Sequence, residues 1–168
     1  GSYMKFAEVQ EEQITTEKKT KISTEQASKE KQLEVLRENA ALTRKRISDK
    51  LKLLSEKLSE DSSSEREKIS KDLQSKIDNL PEIPKNLSPE RKAKLLEERK
   101  KEIADIRGDA SKDKDAVRDA TKKQKSSLRD STSIDREKVR TDLKSSIANV
   151  RDEFKKKTEA IKSGYEKT

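Results

Sequence analysis

The chain has no cysteine, no histidine and no tryptophan. Without cysteine there can be no disulfide framework, thiolate nucleophile or sulfur-ligated metal. Without histidine there is no imidazole to act as a base near neutral pH. Carboxylates are plentiful, but on solvated helices they lack the low-dielectric pocket that tunes a carboxyl for proton transfer. Together these absences argue against an enzyme, and no cofactor or metal is expected. Aromatic residues make up 2% of the chain and hydrophobic residues 27%, too little to bury a globular core of ordinary size. No apolar run approaches the roughly 18 residues that span a bilayer, and the N-terminus has no hydrophobic signal-peptide core. The expectation is therefore no membrane span, with the cytoplasm favoured. Gly1-Ser2 resembles an expression scar, so residues 1–3 are set apart and native sequence is expected from Met4.

Proline is as scarce as glycine, three of each, and all three prolines fall between Pro81 and Pro89, close to the midpoint of 168 residues. A proline lacks the backbone N–H and disfavours helix in the residue before it, so a helix arriving from the N-terminal side stops near Leu80. Ser88 then supplies an N-cap oxygen, Pro89 suits the first helical position, and Glu90 suits the positive end of a new helix. This stretch reads as the turn of a hairpin, residues 81–88, between a first arm over residues 4–80 and a second over 89–167.

What the chain has in abundance is charge, 45% of its residues, with 42 basic against 34 acidic. Unbalanced charge favours disorder, but near balance with many Glu, Lys, Leu, Arg and Ala favours long exposed helices. The apolar residues keep helical spacing. On the first arm the stripe is Phe6, Leu33, Leu36, Ile47, Leu51, Leu54, Leu58, Ile69, Leu73 and Ile77. On the second it is Leu96, Ile103, Val117, Leu128, Val139, Leu143, Ile147, Val150, Phe154 and Ile161. Steps of three and four put each set on one face, and runs of fours predict weak or right-handed supercoiling. The expected fold is all-α: a long antiparallel helical hairpin, coiled-coil-like, its two stripes packed together.

Two weak points suggest an alternative. Residues 61–64, Asp61 and three serines, favour a helix cap, and Gly108 within 107–113 costs about 1 kcal/mol relative to alanine in a helix. Breaks at both would give a compact four-helix bundle. Folding at the proline turn alone sets residue i near residue 169 − i, so Tyr165 meets Met4, Phe154 meets Ile14 and Gly108 falls opposite Asp61. An internal repeat at an offset of 70 residues, taking Arg66 to Arg136, Leu73 to Leu143 and Leu80 to Val150, points to a duplicated helical unit.

The charge is unevenly placed: residues 1–84 hold 17 basic and 17 acidic residues, residues 85–168 hold 25 and 17, so the whole +8 lies on the second arm. Candidate anion-binding residues there are Arg118, Lys122, Lys123, Lys125, Arg129, Arg140, Arg151, Lys155, Lys156 and Lys157. Four of the arginines are eleven residues apart, a spacing that returns to nearly the same helical face. Such a stripe suits salt-sensitive, sequence-independent phosphate contacts, although interleaved acids and the shortage of aromatics for base stacking count against it. Asp109, Asp113, Asp115 and Asp119 are spaced like calcium-loop ligands but lack the loop's central glycine and terminal glutamate. Arg107-Gly108-Asp109 spells an adhesion tripeptide of a length that recurs by chance. The functional expectation is a non-enzymatic spacer, scaffold or adaptor with a protein partner or self-association, and the alternative is a nucleic-acid-binding accessory protein.

Overall fold

The computed structural model describes residues 2–166. Helix α1, Ser2–Asp78, has 77 residues and α2, Pro89–Glu166, has 78; they pack against each other as an all-α hairpin, with no strand among the described residues. At the end of α1 the Asn79 N–H still reaches the Ser75 carbonyl at 3.0 Å, while Leu80 tightens onto Ile77 at 3.2 Å, and Pro81 cannot continue the ladder. At the start of α2 the Arg91 N–H donates to the Ser88 hydroxyl at 3.4 Å, and the Lys92 N–H makes the first full turn to the Ser88 carbonyl at 3.0 Å. Ser88 is thus the N-cap, with Pro89 and Glu90 in the first turn.

Neither weak point breaks its helix. α1 runs through residues 61–64 and α2 through 107–113, with no residue at positive φ. Ser62 is 6% exposed, turned against α2 rather than spent on a cap, and a glycine penalty of about 1 kcal/mol is small beside the packing on either side of it. The four-helix bundle, which needs both breaks, is therefore ruled out.

Burial along the helices follows an eleven-residue repeat of steps four, four and three. On α2 one position of the repeat is Leu95, Ile106, Val117, Leu128, Val139, Val150 and Ile161, each half-buried. On α1 the matching position is Glu25, Leu36, Ile47, Leu58 and Ile69, also half-buried, and Leu80 just beyond its end keeps the spacing. Eleven residues in three turns is slightly more than 3.6 per turn, so the stripe runs almost straight along each helix.

The chain divides into two units, one joining residues up to Ser48 with those from Ser133, the other Asp49–Thr132. In the first, Leu33 and Ala40 are the buried apolar residues and Thr158 the buried hydroxyl, which donates to the Phe154 carbonyl at 2.6 Å. Cross-helix contacts there are Lys29 over the Phe154 ring, Lys21 over the Tyr165 ring, Lys157 to Glu25 at 3.9 Å, and the Arg136 guanidinium to the Ser48 hydroxyl at 2.9 Å. In the second unit Ala110, Ser62 and Thr132 are buried, and Thr132 donates to the Leu128 carbonyl at 2.7 Å. Among the described residues no buried side-chain polar atom lacks a partner.

The pairing register differs from the one expected from a tight turn. Phe154 faces Lys29 instead of Ile14, and Tyr165 faces Lys21 and Glu17 instead of Met4, a slip of roughly fifteen residues. The cause lies in residues 79–88, which run back along the first turns of α2: the Arg99 guanidinium donates to the Pro81 carbonyl, and Ile83 and Leu87 are half-buried. Pairing with α1 starts beyond Arg99 rather than at Pro89. Two expected packing residues change role as a result. Phe6 is 64% exposed, because no described residue of α2 stands opposite the first four turns of α1, and Leu96 is 50% exposed, because Leu95 takes the inward position.

Candidate anion-binding groove

Lys122, Lys123, Lys125 and Arg129 share the longest stretch of α2 in this region without a carboxylate, between Asp119 and Asp130. Helical geometry distributes them to two sides. Residues 118, 122, 125 and 129 differ by four, three and four, so they lie along one side of α2, whereas Lys123 turns to the other. The facing turns of α1 bring Ser59, Ser62 and Arg66, themselves spaced three and four apart. The result, within the second unit, is a groove of about 350 Å³ lined by Ser59, Ser62, Arg66, Arg118, Thr121, Lys122, Lys125 and Arg129.

Five of the eight lining residues are cationic, three carry hydroxyls and none is a carboxylate. The Lys125 ammonium donates to the Ser59 hydroxyl across the helices. Arg66 Nε donates to the Ser62 carbonyl at 3.3 Å, which fixes the root of the guanidinium beside the groove that Arg66 lines. The Thr121 hydroxyl donates back to the Val117 carbonyl at 2.9 Å. Arg118 is paired with Asp115 at 3.2 Å; among the described residues it is the one groove cation with a carboxylate in ion-pair reach. Cations gathered in this way repel one another, and a multivalent anion relieves that repulsion.

The other sequence-predicted cations are placed elsewhere. Lys123 lines a second groove of about 600 Å³ on the far side of α2, together with Leu54, Leu58, Asp61 and Leu128. In the first unit Arg140, Arg151 and Lys155 are exposed, Lys156 is paired with Asp152 at 3.1 Å, and Lys157 lies toward Glu25. Arg118, Lys122, Lys125 and Arg129 are thus brought together, and the remaining six are not. Arg66, Ser59, Ser62 and Thr121 were absent from the sequence-based set. The signal that could have found them is the interruption of the apolar stripe by polar residues at one level of both helices.

The predicted packing residues Leu36, Ile47, Leu51, Leu54, Leu58, Ile69, Leu73, Ile77, Ile103, Val117, Leu128, Val139, Leu143, Ile147, Val150, Phe154 and Ile161 are half-buried and Leu33 is buried. Among the described residues no three of Asp and Glu converge as metal ligands, including the aspartates of residues 109–119, and no helix is long and apolar enough to cross a membrane. Comparison with known protein families, with curated proteins and with solved structures finds no match.

Proposed function

We propose that this chain is a non-enzymatic helical hairpin acting as a spacer, scaffold or adaptor in a larger protein assembly. The observation that carries this reading is the start of α1, where Tyr3, Met4, Phe6, Val9 and Ile14 are 89, 74, 64, 50 and 42% exposed. Tyr3, Ala7 and Ile14 prolong the inward stripe, and Phe6 and Val9 widen it, yet no described residue of α2 covers them. Half of the chain's four aromatic residues are spent on this uncovered end. Aromatic side chains on an exposed helical face are the usual anchors of a protein interface, since they bury much area at little entropic cost.

The reading is tested with a photo-crosslinking phenylalanine analogue at Phe6 and, as control, at exposed Lys71, in cells that make the protein. A discrete crosslinked species is expected from position 6, absent from position 71 and lost on Val9→Glu. Equal labelling from both positions would refute a docking end. Nucleic-acid binding by the basic residues of α2 is the weaker reading. The cations are dispersed over several faces, Arg118 and Lys156 are already paired, and the groove holds no aromatic side chain on which a base could stack.

A further inference from the structure

We infer that the groove between residues 59–66 of α1 and 118–129 of α2 is a binding site for a compact multivalent phosphate anion, a short oligophosphate chain, held through its phosphate oxygens alone. This inference concerns the groove and stands apart from the docking end of α1.

The first argument is what the site gives up. In the eleven-residue repeat Arg66 occupies a position that Leu33 and Ile77 hold at other levels and that Arg44 and Ser55 also take, and Ser62 one that Leu51 and Leu73 hold and that Lys29 and Ala40 also take. Across from them Lys125 stands at a position held by Ile103 and Ile147 but also by Lys114 and Arg136, and Thr121 at one held by Leu143 but also by Ala110 and Thr132. The groove is set apart because all four of these positions are polar at one level, whereas the levels on either side keep Leu51 or Leu73 in the seam. A seam level without an apolar residue at any of the four is a local departure from the rest of the stripe, of the kind expected at a functional site.

The second argument is chemical fit. Guanidinium forks and ammonium groups are the donors that bind phosphate oxygens, and here four cations have no ion-pair partner among the described residues. Ser59 accepts from Lys125, so its own hydroxyl proton is free to donate to an anion. The volume of about 350 Å³ is at the small end for a ligand pocket, which suits a few linked phosphates. The lining holds no aromatic or aliphatic residue against which the apolar side chains of an acidic peptide would pack.

The experiment is calorimetric titration of the full chain with sodium tripolyphosphate at low ionic strength. One saturable site is expected for the native chain. Arg66→Gln with Lys125→Gln should weaken it about tenfold or more, as expected for lost hydrogen bonds to a charged group. Lys155→Gln, Lys156→Gln and Lys157→Gln together, which remove more charge from the first unit, should change it less than twofold. Amide chemical-shift changes on titrating the native chain supply a readout independent of any variant's folding, and they should be confined to residues 59–66 and 118–129. Four results would overturn the inference: no saturable binding, equal loss in both variants, shift changes spread over both units, or duplex DNA binding more tightly than tripolyphosphate and depending on both basic sets. The last would restore the nucleic-acid reading.

Discussion

Leu33, 7% exposed, is the best-covered large apolar side chain, held where α1 meets the second half of α2. Truncating it removes burial and leaves a hole that a two-helix seam can partly close, so Leu33→Ala is expected to cost about 2 kcal/mol, the low end for a buried leucine. Leu53, 68% exposed, points away from α2, and Leu53→Ala should stay within about 0.5 kcal/mol. Urea melts of the two variants distinguish these values. A different residue-scale effect operates at Lys21. Its ammonium is held above the ordinary lysine value of 10.5, first by its hydrogen bond with the Tyr165 side chain and, less, by the carboxylate charge of Glu17. A pKa raised on folding means that the contribution is complete below the unfolded value and fades as pH rises through the folded one. The difference in melting temperature between the native chain and Lys21→Met should therefore persist from neutral pH to about pH 10 and close above the ordinary lysine pKa. A difference already gone at pH 8 would contradict the assignment.

At the scale of the element, Gly108 tests whether α2 needs a flexible joint. It has a helical φ and open space where a β-carbon would stand, so Gly108→Ala meets no clash. The alanine should stabilise the chain by about 1 kcal/mol by removing backbone freedom from the unfolded state. A loss of stability in thermal melts would show that the glycine serves a bend. The helices themselves were legible from local chemistry, because Pro81 stops one, and Ser88 with Pro89 starts the other. Their register was not. It depends on how far residues 79–88 run back along α2, which is decided by contacts of Arg99, Ile83 and Leu87 that no local pattern encodes. The groove was half legible for a related reason. Arg118, Arg129, Arg140 and Arg151 each follow a stripe residue, and their spacing already contained the eleven-residue repeat. Arg66 and Lys125 sit on the stripe itself, where a charged side chain reads as surface until the opposite helix is known.

For the molecule as a whole, the governing fact is how little is fully enclosed. Leu33, Ala40 and Ala110 are the buried apolar residues among those described, and no large side chain is completely buried. Hydration of newly exposed apolar surface is what raises the heat capacity on unfolding, so a chain that hides so little should show an increment well below the usual 12–15 cal/mol/K per residue, roughly half of it. Scanning calorimetry at several protein concentrations measures this and separates two sources of burial. If the hairpin is monomeric and its first four turns stay uncovered, the increment is low and the melting temperature does not move with concentration. If a second copy covers Tyr3, Phe6 and Val9, mass action makes the melting temperature rise with concentration, and Phe6→Glu abolishes that rise. An increment of full size without concentration dependence would mean that one chain buries more than this hairpin does. In that case the exposed start of α1 would be packed against its own chain and could not serve as the docking end.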